Sequence, residues 1–408
     1  MQILFLSLVC PIPANNGHKM RTWSLVRALS AEGHELTFLG FARPEELAIP
    51  LGQLRQLCED VEFVNMEDVS LSSAGNYLSR ARALFSNTPY AIGRFSSTEM
   101  RNRIANQLAT KTFDAIVCDT VYSAINLPES TPVPVVMNTH NVEHLILERY
   151  AAKESNPLKR NYALREARVL RRWEQEVCNR ASLAMACSED DRQLFKHLCP
   201  DLPITVVPNI VDVDDYSPAA FSENTTVLFQ GGMDWFPNRD AVSYFLESIF
   251  PLLRKRVPGV RFVVAGRNPS DSFLRQYAAE PDVKFTGTVP DMREVIAGAS
   301  VCVVPLRIGS GTRLKILEAA AMAKPIVSTK LGAEGLEFRH GREIVIADRP
   351  EEFAAQIAEL IQSPETARRM GEAARTLVEE RYSFAVLRSA IRRTLSQIPE
   401  SRPAMLAQ

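Results

Sequence analysis

The chain has 408 residues, long for a single hydrophobic core and suited to two domains. A hydrophobic content of 46%, 23% charged residues and a formal net charge of −1 match an ordinary globular protein and give no global attraction to nucleic acid. Seven cysteines, odd in number and without a C-x-x-C pair, read as reduced core residues of a cytoplasmic protein, and no apolar run approaches the ~20 residues of a membrane span.

The apolar stretch Ile3 to Val9 is short and lacks a basic flank, so it reads as a first strand and not as a signal peptide. A loop rich in turn formers follows, with Pro11, Pro13, Asn15, Asn16 and Gly17. The spacing of Met20, Trp23, Val26 and Leu29 or Ser30 predicts a helix to about Ala31, with Gly33 ending it and Glu35 to Leu39 as the next strand. Val61 to Val64 is a strand, and Leu71 to Phe85 and Ser96 to Ala109 read as helices. Ala115 to Cys118 is a strand ending in Asp119-Thr120, and Pro132 to Met137 is one ending in Asn138-Thr139-His140-Asn141. Open parallel sheets meet their ligands at the carboxyl ends of strands, which makes His140 a candidate site residue and leaves His144 a packing or capping role.

Leu158 to Arg180 reads as a long helix with Leu158, Tyr162, Val169, Trp173 and Val177 facing inward. Arg165, Arg168 and Arg172 share another face. That face is either solvated and paired with Glu166, Glu174 and Glu176, or it meets anionic lipid headgroups or a lipid-linked diphosphate. Leu183 to Cys187 and Ile204 to Val207 complete a first α/β domain, 1–208. A linker, 209–224, contains Asp212-Val213-Asp214; this D-x-D pattern sits in a polar crossover and reads as linker, not as a metal site.

The second domain, 225–382, repeats the rhythm. Its strands are Val227 to Gln230, Arg261 to Ala265, Val283 to Phe285, Val301 to Val304, Ile326 to Ser328 and Ile344 to Ile346. Helices are expected near Arg239 to Arg256, Ser270 to Ala278, Met292 to Ala299, Arg313 to Ala323, Glu351 to Gln362 and Glu365 to Glu380. A last helix, 383–398, precedes a tail, 399–408, that reads as disordered.

The stretch VCVVPLRIGSGTRLKILEAAAMAKPIVSTK, Val301 to Lys330, carries the chemistry. A buried strand runs into a glycine-rich turn, Ile308 to Thr312, and then into a helix stopped by Pro325. A helix N-terminus attracts an anion, and Arg313 and Lys315 sit there as cations. Glu318 shares a helix face with Gly311. This layout suits a nucleoside diphosphate, with phosphates at the turn and ribose hydroxyls on Glu318. The competing reading is an exposed, ion-paired helix face.

The segment GSGTRLKILEAAAMAKPIVST resembles the signature of retaining glycosyltransferases of family 4, in the subgroup with G-x-G-T-R-L-K-x-L-E. The resemblance implies an α/β GT-B fold, two doubly wound Rossmann-like domains facing a cleft, with the last helix crossing back to the first domain. It implies that Glu318 binds the donor ribose and that Ser310, Gly311 and Thr312 meet the sugar and diphosphate. Ser310 stands where many relatives have a second glutamate. Gly17 lies in a loop that in the family approaches the donor phosphate or the acceptor, and His140 matches a histidine that contacts the donor sugar. The loop with Gly232 follows the first strand of the second domain; Met233 and Asn238 occupy positions where relatives often carry Arg and Lys. Gly266, Arg267 and Val289 are expected to border the base.

The activity implied is transfer of a sugar from a nucleotide-diphosphate donor to a glycan, lipid-linked or small-molecule acceptor, as in polysaccharide biosynthesis, with retention at the anomeric carbon. The leaving diphosphate takes the acceptor's proton, and His140, Arg313 and Lys315 are the expected catalytic residues. No resident cofactor, no metal and no nucleic-acid partner are expected, and the location is cytoplasmic or peripheral on the inner membrane face. A donor-binding but catalytically silent partner, which Ser310 would allow, and a nucleotide-sugar epimerase of the same fold remain the alternatives.

Overall fold

The computed structural model describes residues 1–66, 88–218, 224–267, 269–278 and 280–398. The helix expected over 71–85 and the tail 399–408 therefore lie outside the described residues. The chain divides into two compact units, Met1–Pro208 with Leu387–Gln408, and Asn209–Val386.

The first unit is built on a seven-stranded sheet. Its strands are β1 (Gln2–Ser7), β2 (Glu35–Ala42), β3 (Asp60–Asn65), β4 (Ala115–Asp119), β5 (Val135–Asn138), β6 (Leu183–Ala186) and β7 (Ile204–Val206). They lie in the order β3-β2-β1-β4-β5-β6-β7, and every pairing is parallel. Helices cover both faces, which is why the strands are near-continuous apolar runs; Ile3, Leu4, Phe5 and Ile116 are all fully buried. The order reverses between β1 and β4, the switch point at which such sheets open a crevice.

Among the described residues, the longer helices that accompany this sheet are α1 (Gly17–Ala31), α2 (Thr98–Thr110), α3 (Glu143–Lys153), α4 (Pro157–Asn179) and α5 (Glu189–Leu198). Two of the expected buried faces are displaced. In α1 the buried side chains begin with Lys19, Arg21 and Thr22, whereas Met20 and Trp23 are half-buried. The amino-terminal turn of α1 turns a polar face inward because it meets polar strand ends, not the core. In α4 the buried stripe is Ala163, Glu166, Ala167, Leu170, Glu174, Val177 and Cys178. Leu158 does not face inward: it is 80% exposed, since the helix begins only at Pro157, capped by the Asn156 side chain, and its first turn projects past the core.

The second unit has a six-stranded parallel sheet, β10-β9-β8-β11-β12-β13. The strands are β8 (Thr226–Gln230), β9 (Arg261–Ala265), β10 (Val283–Gly287), β11 (Val301–Val304), β12 (Ile326–Ser328) and β13 (Val345–Ile346). The switch point here falls between β8 and β11. The helix expected over Arg239 to Arg256 starts earlier, as α6 (Phe236–Tyr244), widens through a π turn at Phe245–Ile249 and resumes as α7 (Phe250–Arg256). Pro251 has no N–H to continue the ladder, and the wider turn absorbs that loss. The remaining helices are α8 (Asp271–Gln276), α9 (Met292–Ala297), α10 (Leu314–Ala321), α11 (Pro350–Gln362) and α12 (Pro364–Arg381).

The D-x-D segment is pinned by its backbone. The Arg375 guanidinium donates to the carbonyls of Val213 (2.9 Å), Tyr216 (2.5 Å) and Ala321 (2.6 Å), so it ties the connecting segment to the end of α10.

The last helix, α13 (Phe384–Leu395), begins in the second unit and is counted with the first from Leu387 onward. Arg388 and Arg392 each donate to Glu32 at 2.7 Å, and the fully buried Thr394 hydroxyl lies 2.8 Å from that of Thr205 in β7. All seven cysteines are buried free thiols. Among the described residues, no helix is long and apolar enough to cross a membrane.

Candidate functional site

At the switch point of the first unit, register sets the chemistry. Ser7 pairs with Asp119 across β1 and β4, and Asp119 pairs with Asn138 across β4 and β5. Three polar residues therefore stand in a row at the carboxyl ends of three adjacent strands. The Asp119 carboxylate is fully buried. One oxygen accepts from Asn138 Nδ2 (2.7 Å) and His140 Nε2 (2.7 Å), the other from Ser7 Oγ (3.1 Å) and Thr22 Oγ1 (2.5 Å). Burial alone would raise its pKa, but the two histidines hold it well below the usual carboxylate range. Burial pushes His140 down to about 4. A neutral imidazole facing an ionised carboxylate must donate from Nε2, which leaves Nδ1 as an acceptor.

The next residue, Thr120, has φ of 99°, a conformation that a β-branched side chain resists. It is held there by its N–H, which donates to Asn138 O at 2.9 Å. Arg21 braces the row by donating twice to Asn138 Oδ1 and once to Val207 O. The His18 ring stands edge-on to that of His140, with centroids 4.6 Å apart, and its Nε2 is 3.5 Å from Asp119. Gly17 is the exposed first residue of α1, whose cap, Asn16, accepts from Lys19 N at 3.0 Å.

One ligand atom each from His18, Asp119 and His140 lies within 4.8 Å of the others, a spacing that a cation would accept. Both Asp119 oxygens, however, are already filled by donors, so a cation would have to displace His140 or the Thr22 hydroxyl.

Glu143 borders this group. Its carboxyl accepts from Tyr122 Oη (3.2 Å) and Asn141 Nδ2 (3.0 Å), and burial followed by the charge of Glu174 pushes it up to about 6. His144 is buried against Glu174, with Nδ1 2.6 Å from the carboxylate, and the same carboxylate caps α3 through two backbone N–H groups. Glu174 is thus unavailable to the arginines of α4.

In the second unit the corresponding crevice gathers the end of β8, its loop and the start of α10. Lys315 Nζ is 2.9 Å from Asn238 Oδ1 and 4.1 Å from the centre of the Phe229 ring. Gly231, at φ 154°, makes room for it, because a Cβ there would come within 2.8 Å of the ammonium. Burial, and then the charge of Arg313, pushes Lys315 down to about 7. Glu318 accepts from Tyr216 Oη (2.9 Å) and Gln230 Nε2 (2.6 Å), and burial raises its pKa.

Helix α10 begins at Leu314, so Arg313 is its N-cap residue and not a first-turn cation. The Arg313 guanidinium is buried and turned back on its own loop, donating to the carbonyls of Ser310 (2.5 Å) and Gly311. Ser310 is 6% exposed, and Thr312 Oγ1 accepts from Asn209 Nδ2 at 2.7 Å. Gly232 and Arg267 meet around Asp234, whose carboxylate takes Arg267 Nε at 3.2 Å. Gly266 must be glycine, since a Cβ would lie 2.0 Å from Gly231 O. Val289 is half-buried beyond the end of β10.

The structure therefore brings Lys315, Gly232 and Glu318 to one crevice with Ser310, Gly311 and Thr312, and assigns Arg313 a contact with its own loop. Sequence reasoning did not find Asp119, His18, Tyr216 or Gln230 as site residues. A signal existed for Asp119, an acid at the carboxyl end of a buried strand.

Two sequence families match. Residues 15–215 match the model of Glycosyltransferase Family 4, and residues 224–363 match that of Glycosyl transferases group 1. A Klebsiella pneumoniae protein described as an uncharacterized 44.6 kDa protein in the cps region is 21% identical over 401 residues, covering 96% of this chain and 98% of that one. Among solved structures, sucrose-phosphate synthase from Thermosynechococcus elongatus has a TM-score of 0.71 at 16% identity, covering 97% of this chain and 99% of that one. Anabaena Alr3699/HepE in complex with UDP has a TM-score of 0.65 at 17% identity, covering 98% and 100%. The chain thus has the GT-B fold and carries the two domains of a glycosyltransferase, a family 4 domain followed by a group 1 domain.

Proposed function

We propose that the chain transfers a glycosyl group from a uridine-diphosphate sugar to an acceptor hydroxyl with retention of anomeric configuration. The observation that carries this reading is the crevice at the start of α10, where an ammonium and a helix N-terminus lie beside a carboxylate one turn further on. The first two suit a diphosphate, and Glu318 suits paired ribose hydroxyls. The two glycosyltransferase domains support the reaction class, and the likeness to Alr3699/HepE, which was crystallised with UDP and with UDP-glucose, supports the uridine nucleotide.

In the reaction, the bond from the anomeric carbon to the diphosphate oxygen breaks while the acceptor oxygen bonds on the same face. The departing diphosphate takes the acceptor's proton. Lys315 and the α10 dipole stabilise the charge that develops on the leaving group. Arg313 holds the carbonyls of the Ser310–Gly311 turn in place and so shapes the phosphate seat. His140, with Nε2 committed to Asp119, accepts from a sugar hydroxyl through Nδ1. The acceptor, a glycan, a lipid-linked sugar or a small hydroxyl compound, binds the first unit.

The buried Ser310, in place of a glutamate, also admits a donor-binding chain without transfer. A thermal-shift screen of UDP-, GDP- and ADP-sugars tests donor binding, since a ligand at ~100 times its dissociation constant stabilises by about 2.7 kcal/mol. UDP release with a screened acceptor, and the anomeric configuration of the product by NMR, test the reaction. No shift with any nucleotide sugar overturns the proposal, and a shift without transfer to any acceptor leaves the silent partner.

A further inference from the structure

The outward face of α4 is not used by either crevice. Between Pro157 and Trp173 this helix carries Lys159, Arg160, Arg165, Arg168, Arg171 and Arg172 against a single acid, Glu166. Glu166 is buried; one carboxylate oxygen takes Arg165 and the other takes Tyr90 N at 3.0 Å. Glu174 is consumed by His144 and the start of α3. Among the described residues, no carboxylate lies within the 4.0 Å of an ion pair from Arg160, Arg168, Arg171 or Arg172, and all four are exposed. Of the local pairings that the sequence offers, Arg165 with Glu166 forms, and the other four arginines stand exposed without a carboxylate partner among the described residues.

At ~100° per residue, Arg168 and Arg172 fall on the pole opposite the buried stripe, with Arg160 and Arg171 on one flank. The four span about 18 Å of helix. Leu158, at the outer end of the same helix and 80% exposed, adds an apolar side chain in full contact with solvent.

We propose that this face of α4 docks the protein on an anionic bilayer. Charge complementarity selects a polyanionic partner. The exposed leucine among the arginines selects a lipid surface over a nucleic acid, because an apolar side chain gains only where it can leave water at the headgroup boundary. The inference does not rest on the donor reading, since it concerns a separate face and needs no nucleotide.

The test is co-sedimentation of the full chain with acceptor-free vesicles, of phosphatidylcholine alone and of phosphatidylcholine with 30% phosphatidylglycerol, at low and high salt. Binding is expected only with phosphatidylglycerol and weakens as salt rises. Each charge is worth roughly fivefold in partitioning, so the R160Q/R168Q/R171Q/R172Q variant loses on the order of a hundredfold or more. Leu158→Ser lowers binding by a smaller factor at both salt concentrations. The R168K/R172K variant retains binding, which separates lost charge from lost fold. Absence of binding at low salt overturns the proposal. So does binding that survives the fourfold substitution, binding that needs an added lipid-linked diphosphate, or equal affinity for a DNA duplex at the same charge concentration.

Discussion

Lys315 Nζ stands 2.9 Å from Asn238 Oδ1, so an amide from the first turn of α6 holds a cation from α10. The family resemblance leads one to expect a lysine at position 238, where this chain has Asn238. The positive charge is here delivered from the opposite wall of the same crevice. Lys315→Met is expected to reduce donor-dependent turnover by the equivalent of 2–4 kcal/mol, on the order of one lost electrostatic contact in the transition state. Normal kcat/KM in a folded Lys315→Met variant would remove this residue from the diphosphate site.

The pH dependence follows from the same environment. Lys315 is pushed down to about 7, so the donor-free crevice loses its proton near neutrality. UDP needs the protonated form, hence its affinity falls as pH rises above about 7 and binding takes up a proton there. Calorimetry in buffers of different ionisation enthalpy at pH 6, 7 and 8.5 reads both effects, and neither appears in Lys315→Met. For stability the sign is the reverse. Between about 7 and the ordinary lysine range the unfolded chain binds the extra proton, so this group's contribution to stability rises with pH across that window.

Arg313 and Lys315 should separate in a melting experiment. Arg313→Ala leaves the Ser310 and Gly311 carbonyls without their donor, and it is expected to lower both activity and melting temperature. Arg313→Lys should not rescue it, because Nη1 reaches the Ser310 and Gly311 carbonyls while Nη2 reaches Leu331 O, and one ammonium cannot span all three. Lys315→Met removes a charge that is costly to enclose and is expected to leave the melting temperature unchanged or raised. Equal melting behaviour of Arg313→Ala and the wild-type protein would return Arg313 to direct contact with the donor.

His140→Ala should lower turnover by on the order of a hundredfold while changing UDP affinity little, because a sugar contact acts mainly in the transition state. Asp119→Asn reaches the same ring indirectly. An amide cannot accept from all four donors around it, so it costs on the order of 1–3 kcal/mol of stability for each donor left unsatisfied. Turnover of His140→Ala equal to wild type would make His140 a structural residue.

Transfer is expected to persist in EDTA, since the diphosphate charge is met by Lys315 and a helix terminus. Loss of activity restored by Mg²⁺ or Mn²⁺ would sink this expectation. It would direct attention to His18, Asp119 and His140, whose ligand atoms lie within 4.8 Å of one another.

Much of the second unit is legible in the sequence because its signals are local. β11 is a buried apolar run, Gly309 and Gly311 mark the turn, and Pro325 marks the stop, so the bounds of β11 and β12 agree and the ends of α10 fall within two residues. Asp119 is not legible as a hub. Its four donors come from β1, α1, β5 and the loop beyond β5, and only strand register places them together. The inward turn of Lys19, Arg21 and Thr22 is hidden for a related reason: periodicity locates apolar stripes, whereas this end of α1 is buried against polar strand ends. Leu158 misleads because periodicity says nothing about where a helix begins relative to the core it packs on. The reversal of Arg313 depends on a helix start one residue later than the pattern suggests.

The pairing of Glu32 with Arg388 and Arg392 has a consequence for biosynthesis. The first unit is closed by a helix that follows the second unit in the sequence. A ribosome working at ~5–20 residues per second needs on the order of ten seconds or more to deliver that helix after Pro208 has emerged. Until then β7, the edge strand that contains Thr205, waits without the cover that α13 supplies. The amino-terminal unit, although begun first, is completed only after every residue of the second unit has been made.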